Sequence, residues 1–120
     1  MTRILAVDDS ASMRDMVSIA LTGAGFEVTA AADGTQALEL AKQSSFDLVL
    51  SDVNMPDMNG IALIRALRAE PAYRFTPILM LTTESSPERK NEGKEAGATG
   101  WIVKPFDPDQ LVATMKRVLR

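Results

Sequence analysis

The stretch RILAVDDSASM, Arg3–Met13, decides how the rest of the chain is read. Its apolar run, Ile4 to Val7, reads as a buried strand, and it ends on two adjacent carboxylates, Asp8 and Asp9. Asp and Ser are ordinary helix N-cap residues, and a single acid would be enough to start a helix. Two acids repel one another at a strand end, and that points to a cation.

Working outward, short apolar runs alternate with helical periodicity. After the first run, Met13, Met16, Val17, Ala20, Leu21 and Ala24 fall at the spacing of a helix face, which Gly23 and Gly25 end. Phe26–Ala30 is a second short strand, followed by Asp33-Gly34 and a helix carrying Ala37, Leu38 and Ala41. Asp47–Ser51 is a third strand, and Ile61, Leu63, Ile64 and Leu67 mark a helix after Gly60. Pro77–Thr83 is a fourth strand and Gly100–Val103 a very short fifth. Asp107-Pro108-Asp109-Gln110 supplies an Asp cap, Pro at the first helical position and Gln three residues after the cap. Leu111, Val112, Met115, Val118 and Leu119 then form the face of a last helix. Five βα units imply an α/β fold, a doubly wound parallel sheet in the flavodoxin-like order 2-1-3-4-5 with five helices on its two faces. One unit departs from the pattern. The segment ESSPERKNEGKEAGATG, residues 84–100, has no large apolar residue, and Gly93 within it costs up to about 1 kcal/mol relative to Ala. A short, loosely packed fourth helix is expected there.

Composition narrows the chemistry. The 120 residues suit one domain, 46% hydrophobic and 24% charged, with 13 basic against 16 acidic residues and a net charge of −3. That balance gives no reason to expect nucleic acid or an anionic membrane as partner. Without a secretory segment or a long apolar run, a cytoplasmic protein is expected. The absence of Cys and His excludes disulfides, a catalytic thiol, Cys/His zinc sites and a histidine base. What remains is Asp, Glu, Ser, Thr, Lys and backbone chemistry, with a hard, oxygen-seeking metal as the only suitable ion.

In open parallel sheets, ligands bind beyond the carboxyl ends of the strands where strand order reverses. Strands one and three are neighbours in this order, about 4.8 Å apart, so Asp52 at the end of the third strand comes close to Asp8 and Asp9. Two negative charges about 4 Å apart cost roughly 4 kcal/mol at an effective dielectric of 20. Three clustered carboxylates would therefore take up protons or bind a divalent cation, and Mg2+ suits a few carboxylates, waters and a phosphate oxygen best. A calcium loop counted from Asp52 fails, because its positions six and twelve hold Asp57 and Leu63 instead of Gly and Glu. Thr82 and Thr83 end the fourth strand and Lys104 the fifth. Taken singly, these are an ordinary strand threonine and a solvent-seeking lysine. Taken together with the acids, they are the equipment for phosphoryl transfer to a carboxylate.

The segments AVDDS, LVLSDVNMPDMNG, LMLTTE and AGATGWIVKPF, in this order and spacing, closely resemble the receiver domain of two-component response regulators, and more narrowly stand-alone chemotaxis regulators of the CheY type. The strand order given above is already known for that family. The resemblance implies that Asp52 is the phosphoacceptor, taking phosphorus from the phosphohistidine of a partner sensor histidine kinase. It implies that Asp9, Asp52 and the main-chain carbonyl of Asn54 bind Mg2+, with Asp8 acting through water. Lys104 would hold one phosphoryl oxygen and Thr82 another. Trp101 would be the switch aromatic that turns inward on activation, and Lys104-Pro105 would take the family's cis peptide. The missing histidine then belongs to the kinase. The resemblance also implies a signalling protein that catalyses only its own phosphorylation and dephosphorylation.

Two other classes compete. A Mg2+-dependent phosphatase or phosphotransferase acting on small molecules commonly needs a second acid two residues after the nucleophile, where this chain has Asn54. A flavodoxin-like nucleotide or flavin binder would want a phosphate-cradling loop after strand one, and DDSASMR repels phosphate unless a metal intervenes. The sequence ends at Arg120 directly after the fifth helix, so one receiver domain over residues 1–120, monomeric and acting by association, is expected. The expected output is the flagellar motor switch. Another chemotaxis protein, or a phosphate sink for the kinase, is the alternative, because residues 85–96 depart from the motor-binding pattern.

Overall fold

Each apolar run becomes a strand in the computed structural model of the chain, which describes residues 1–119; Arg120, the end of the expected domain, lies outside the described residues. The strands are β1 (Arg3–Val7), β2 (Glu27–Ala31), β3 (Leu48–Ser51), β4 (Ile78–Thr82) and β5 (Gly100–Val103). The helices are α1 (Ala11–Gly23), α2 (Gly34–Gln43), α3 (Gly60–Ala69), α4 (Pro87–Ala96) and α5 (Pro108–Val118), with one 3-10 turn at Pro71–Tyr73. All pairings are parallel and the order is β2-β1-β3-β4-β5, as expected. The expected strand ends are corrected by a residue: β2 begins at Glu27 rather than Phe26 and runs to Ala31, β3 begins after Asp47, and β4 lies inside Pro77–Thr83. Phe26 turns out of the ladder and is buried instead with the α1 face of the core.

Side-chain alternation along the strands builds two cores, one on each face of the sheet. Leu5, Val7, Val49, Ile78 and Met80 point to α2 and α3, where Ala37, Ala41, Ile61, Leu63, Ile64 and Leu67 are buried. Ile4, Ala6, Leu48, Leu50, Leu79 and Leu81 point to α1 and α5, meeting Val17, Leu21, Leu111 and Met115. Met16, expected on the buried face of α1, is instead 52% exposed. The stripe of α1 that faces the sheet is narrower than the three-and-four spacing suggests, and Val17 and Leu21 alone are fully buried along it.

The fourth helix is ten residues long, as long as α2 and α3, which corrects the expectation of a short one. Its ends account for this. The Ser86 hydroxyl accepts from the Arg89 amide, Pro87 and Glu88 occupy the first turn, Lys94 the last, and Gly97 closes the helix at φ 115. Gly97 is further fixed from outside, since its carbonyl accepts from Arg68 Nε at 3.1 Å and Nη2 at 2.8 Å. The expected loose packing corresponds to a helix whose one buried residue is Gly93.

Candidate functional site

Register alone brings two of the acids together. Val7 pairs with Ser51 at the carboxyl ends of β1 and β3, so the next residues, Asp8 and Asp52, leave the sheet side by side. The Asp52 amide donates to the Val7 carbonyl at 3.0 Å and completes the ladder. Asp8 and Asp52 are buried, at 6% and 8% exposure, while Asp9 is exposed. Carboxylate oxygens of Asp8, Asp9 and Asp52 all lie within 4.8 Å of one another. All are hard oxygen donors, the set that Mg2+ prefers.

The structure supplies part of the neutralising charge itself. Lys104 Nζ lies 2.6 Å from Asp8 Oδ2 and 3.0 Å from Asp52 Oδ2. The Lys104 amide donates to the Thr82 carbonyl, extending β5 one residue past the sheet edge, which brings Lys104 to the edge where the acids lie; the Lys104-Pro105 peptide is cis. Burial alone would lower the Lys104 pKa, but its hydrogen bonds and charge interactions with Asp8 and Asp52 outweigh that and raise it. A cluster expected to be neutralised by protons or by a metal is thus bridged first by a lysine.

The Asp52 carboxylate is held at both oxygens. Oδ1 accepts from the Val53 amide at 2.7 Å and more weakly from the Asn54 amide at 3.4 Å, leaving Oδ2 to Lys104. Asp8 Oδ1 accepts from the Ser10 amide at 2.9 Å. Asn54 itself is exposed at the start of the β3–α3 loop. Thr82, the last residue of β4, is fully buried, and its hydroxyl oxygen accepts from the Glu84 amide at 3.1 Å. Trp101 is partly buried, packs against the α2–α3 core, and its indole N–H donates to the Glu84 carbonyl at 2.8 Å.

Four residues escaped the sequence reading. Arg14 donates to the Asp8 carbonyl at 2.7 Å; a cation in the first turns of a helix opposes the helix dipole, and that was the available signal. Gly60, the first residue of α3, lies so close to Asp52 that a Cβ there would overlap the Asp52 carbonyl oxygen. Glu84 acts through its backbone. Gly93 faces the Trp101 ring.

A sequence profile of the response regulator receiver domain matches residues 4–116. The chain is 45% identical over 118 residues to the DNA-binding response regulator MtrA of Mycolicibacterium paratuberculosis, covering 98% of this chain and 51% of that protein. It thus spans about half the length of that relative. It is 39% identical over 117 residues to the chemotaxis protein CheY of Pseudomonas aeruginosa, covering 97% of this chain and 94% of that one. The solved structure of the chemotaxis protein CheY4 of Vibrio cholerae superposes with a TM-score of 0.95 at 58% identity, covering 98% of both chains.

Proposed function

Because the chain belongs to the response regulator receiver domain family, we propose that Asp52 accepts a phosphoryl group from the phosphohistidine of a sensor kinase. The observation that carries this reading is the convergence of three carboxylates within 4.8 Å with one lysine ammonium touching two of them. In the transfer, an Asp52 carboxylate oxygen forms the new bond to phosphorus as the donor's N–P bond breaks, and the electron pair returns to the imidazole. The Val53 amide fixes the carboxylate's other oxygen and so aims the attacking one. Lys104 gives up its contact with Asp52 to hold a phosphoryl oxygen, keeping a positive charge where negative charge develops. The Thr82 hydroxyl keeps its lone-pair contact with the Glu84 amide and turns its O–H to a second phosphoryl oxygen. Asp9, Asp52 and the Asn54 carbonyl, with Asp8 through water, would hold Mg2+, which when bound offsets the charge of the phosphoryl oxygens.

Incubation with acetyl phosphate and Mg2+, followed by intact-mass analysis, tests this reading. The parent should gain the mass of one phosphoryl group and Asp52→Asn should gain none. Undiminished labelling in Asp52→Asn would place the nucleophile elsewhere. The output follows the likeness to CheY4 over nearly the whole of both chains: we read the protein as a chemotaxis regulator, acting by association with the flagellar motor switch or another chemotaxis protein.

A further inference from the structure

Of the pair Asp33-Gly34 at the start of α2, capping explains only the first member. The Asp33 carboxylate accepts from the Gln36 amide at 2.8 Å and so begins the helix. Gly34 is buried, has no positive φ to demand a glycine, and stands where Ala would make the better helix. The reason for it is space. A Cβ built on Gly34 would stand 2.7 Å from the Met58 carbonyl oxygen, 2.9 Å from Met58 Cβ and 3.0 Å from Met58 Cγ.

Met58 belongs to the loop of residues 52–59 that joins β3 to α3, and this loop bends sharply just before it. The Met58 amide donates to the Pro56 carbonyl at 2.8 Å across Asp57. Asp57, at φ 66, is the one non-glycine residue with a positive φ among the described residues. A three-residue turn of this sense is rare and strained, and such strain persists only where the surroundings hold it. At its other end the same loop carries the acceptor, with the Val53 amide donating to Asp52 Oδ1 at 2.7 Å. Gly60, the first residue of α3, meets the loop there. The loop is thus wedged between the first residues of two helices, neither of which has a side chain.

We propose that Gly34 is a positioning residue of the acceptor site. By leaving room for Met58 it holds the strained turn at Asp57, and through that turn it fixes Val53 and Asn54 beside the Asp52 carboxylate. Gly34 lies outside the site and acts through Met58. Its effect on metal affinity rests on the reading of Asp9, Asp52 and the Asn54 carbonyl as Mg2+ ligands; its hold on the loop does not.

Amide hydrogen exchange in metal-free buffer, well below the melting midpoint, tests the hold. In Gly34→Ala the Val53 amide should exchange about tenfold faster than in the parent, the local counterpart of a mild overpacking cost. Calorimetric titration with Mg2+ alone should give a dissociation constant about tenfold weaker, as when a ligand loses its support. Ile4→Val, in the core on the other face of the sheet, should lower the midpoint and leave both readouts at parent values. Parent-like Val53 exchange in folded Gly34→Ala would overturn the proposal, and so would equal acceleration in Ile4→Val. If Gly34→Ala does not fold, Met58→Ala decides: it empties the room at Gly34 and should speed the Val53 amide, and unchanged exchange overturns the proposal. Faster exchange with an unaltered Mg2+ constant would overturn the effect on the metal alone. Acetyl phosphate labelling of Asp52→Asn exposes a failed acceptor assignment separately, because exchange in the metal-free protein does not depend on which residue is phosphorylated.

Discussion

An ammonium 2.6 Å from one buried carboxylate and 3.0 Å from another, as Lys104 is placed, feels two opposing pulls. Burial disfavours its charge, while the hydrogen bonds and charges of Asp8 and Asp52 favour it more strongly, and its pKa rises above the ordinary 10.5. A raised folded-state pKa contributes stability that is fully present below the unfolded value and is lost as pH climbs through the folded one. In metal-free buffer the stability lead of the parent over Lys104→Met should therefore be flat through neutral pH and shrink only above about 10.5. At neutral pH that lead should be about 3 kcal/mol, because removing one partner leaves two buried carboxylates facing each other. Urea melts of both proteins at neutral pH and above 10.5 measure both quantities. A lead that stayed constant above 10.5 would mean that Lys104 stabilises by packing and not by charge.

At the scale of elements, the site depends on how closely α3 begins beside the end of β3. The Gly60 amide donates to the Val53 carbonyl at 2.9 Å, and the missing Cβ at Gly60 leaves the space that the Asp52 carbonyl occupies. That carbonyl also accepts from the Ser51 hydroxyl at 2.8 Å, so it cannot swing aside freely. Gly60→Ala should cost about 3 kcal/mol, at the upper end for overpacking, since the atom it meets is backbone. It should also slow acetyl phosphate labelling by displacing Asp52. Gly23→Ala, at the end of α1 with nothing within 4 Å of the new methyl, is the control and should leave both stability and labelling nearly unchanged. Equal effects of the two substitutions in denaturant melts would remove Gly60 from the positioning of Asp52.

Over the whole molecule, the carboxyl ends of β1, β3, β4 and β5 converge on one edge of the sheet, and the charge gathered there couples ion binding to folding. Asp9 is the exposed member of the acid group, and among the described residues its carboxylate accepts no hydrogen bond. A cation that binds the folded protein alone stabilises by mass action, about 2.7 kcal/mol at a hundredfold excess over its dissociation constant. Mg2+ should raise the melting midpoint of the parent in a concentration-dependent way, and Asp9→Ala should lose most of that rise. Equal Mg2+ responses in the two proteins, followed by differential scanning calorimetry, would put the ion elsewhere. Among the described residues no helix is long and apolar enough to cross a membrane.

What the amino-acid sequence determined by itself was the alternation of strands and helices and the residues at each strand end. An apolar run that stops at a polar residue marks its own carboxyl edge, so Asp8, Asp9, Asp52, Thr82 and Lys104 could be placed on one side of the sheet from local pattern alone. The length of α4 was also written locally, in Ser86, Pro87 and Gly97, but the missing apolar face hid it. Tertiary structure alone decided the contacts that cross strands. Lys104 meets Asp8 across 96 residues of chain, and no local pattern specifies that reach. Gly60 and Glu84 act at backbone atoms, which every residue shares and which leave no trace in residue type. Gly93 looked like a weakness in a helix because helix propensity is a local quantity. The room it leaves matters only once β5 brings Trp101 beneath it, since a cavity is defined by what fills it from elsewhere in the chain.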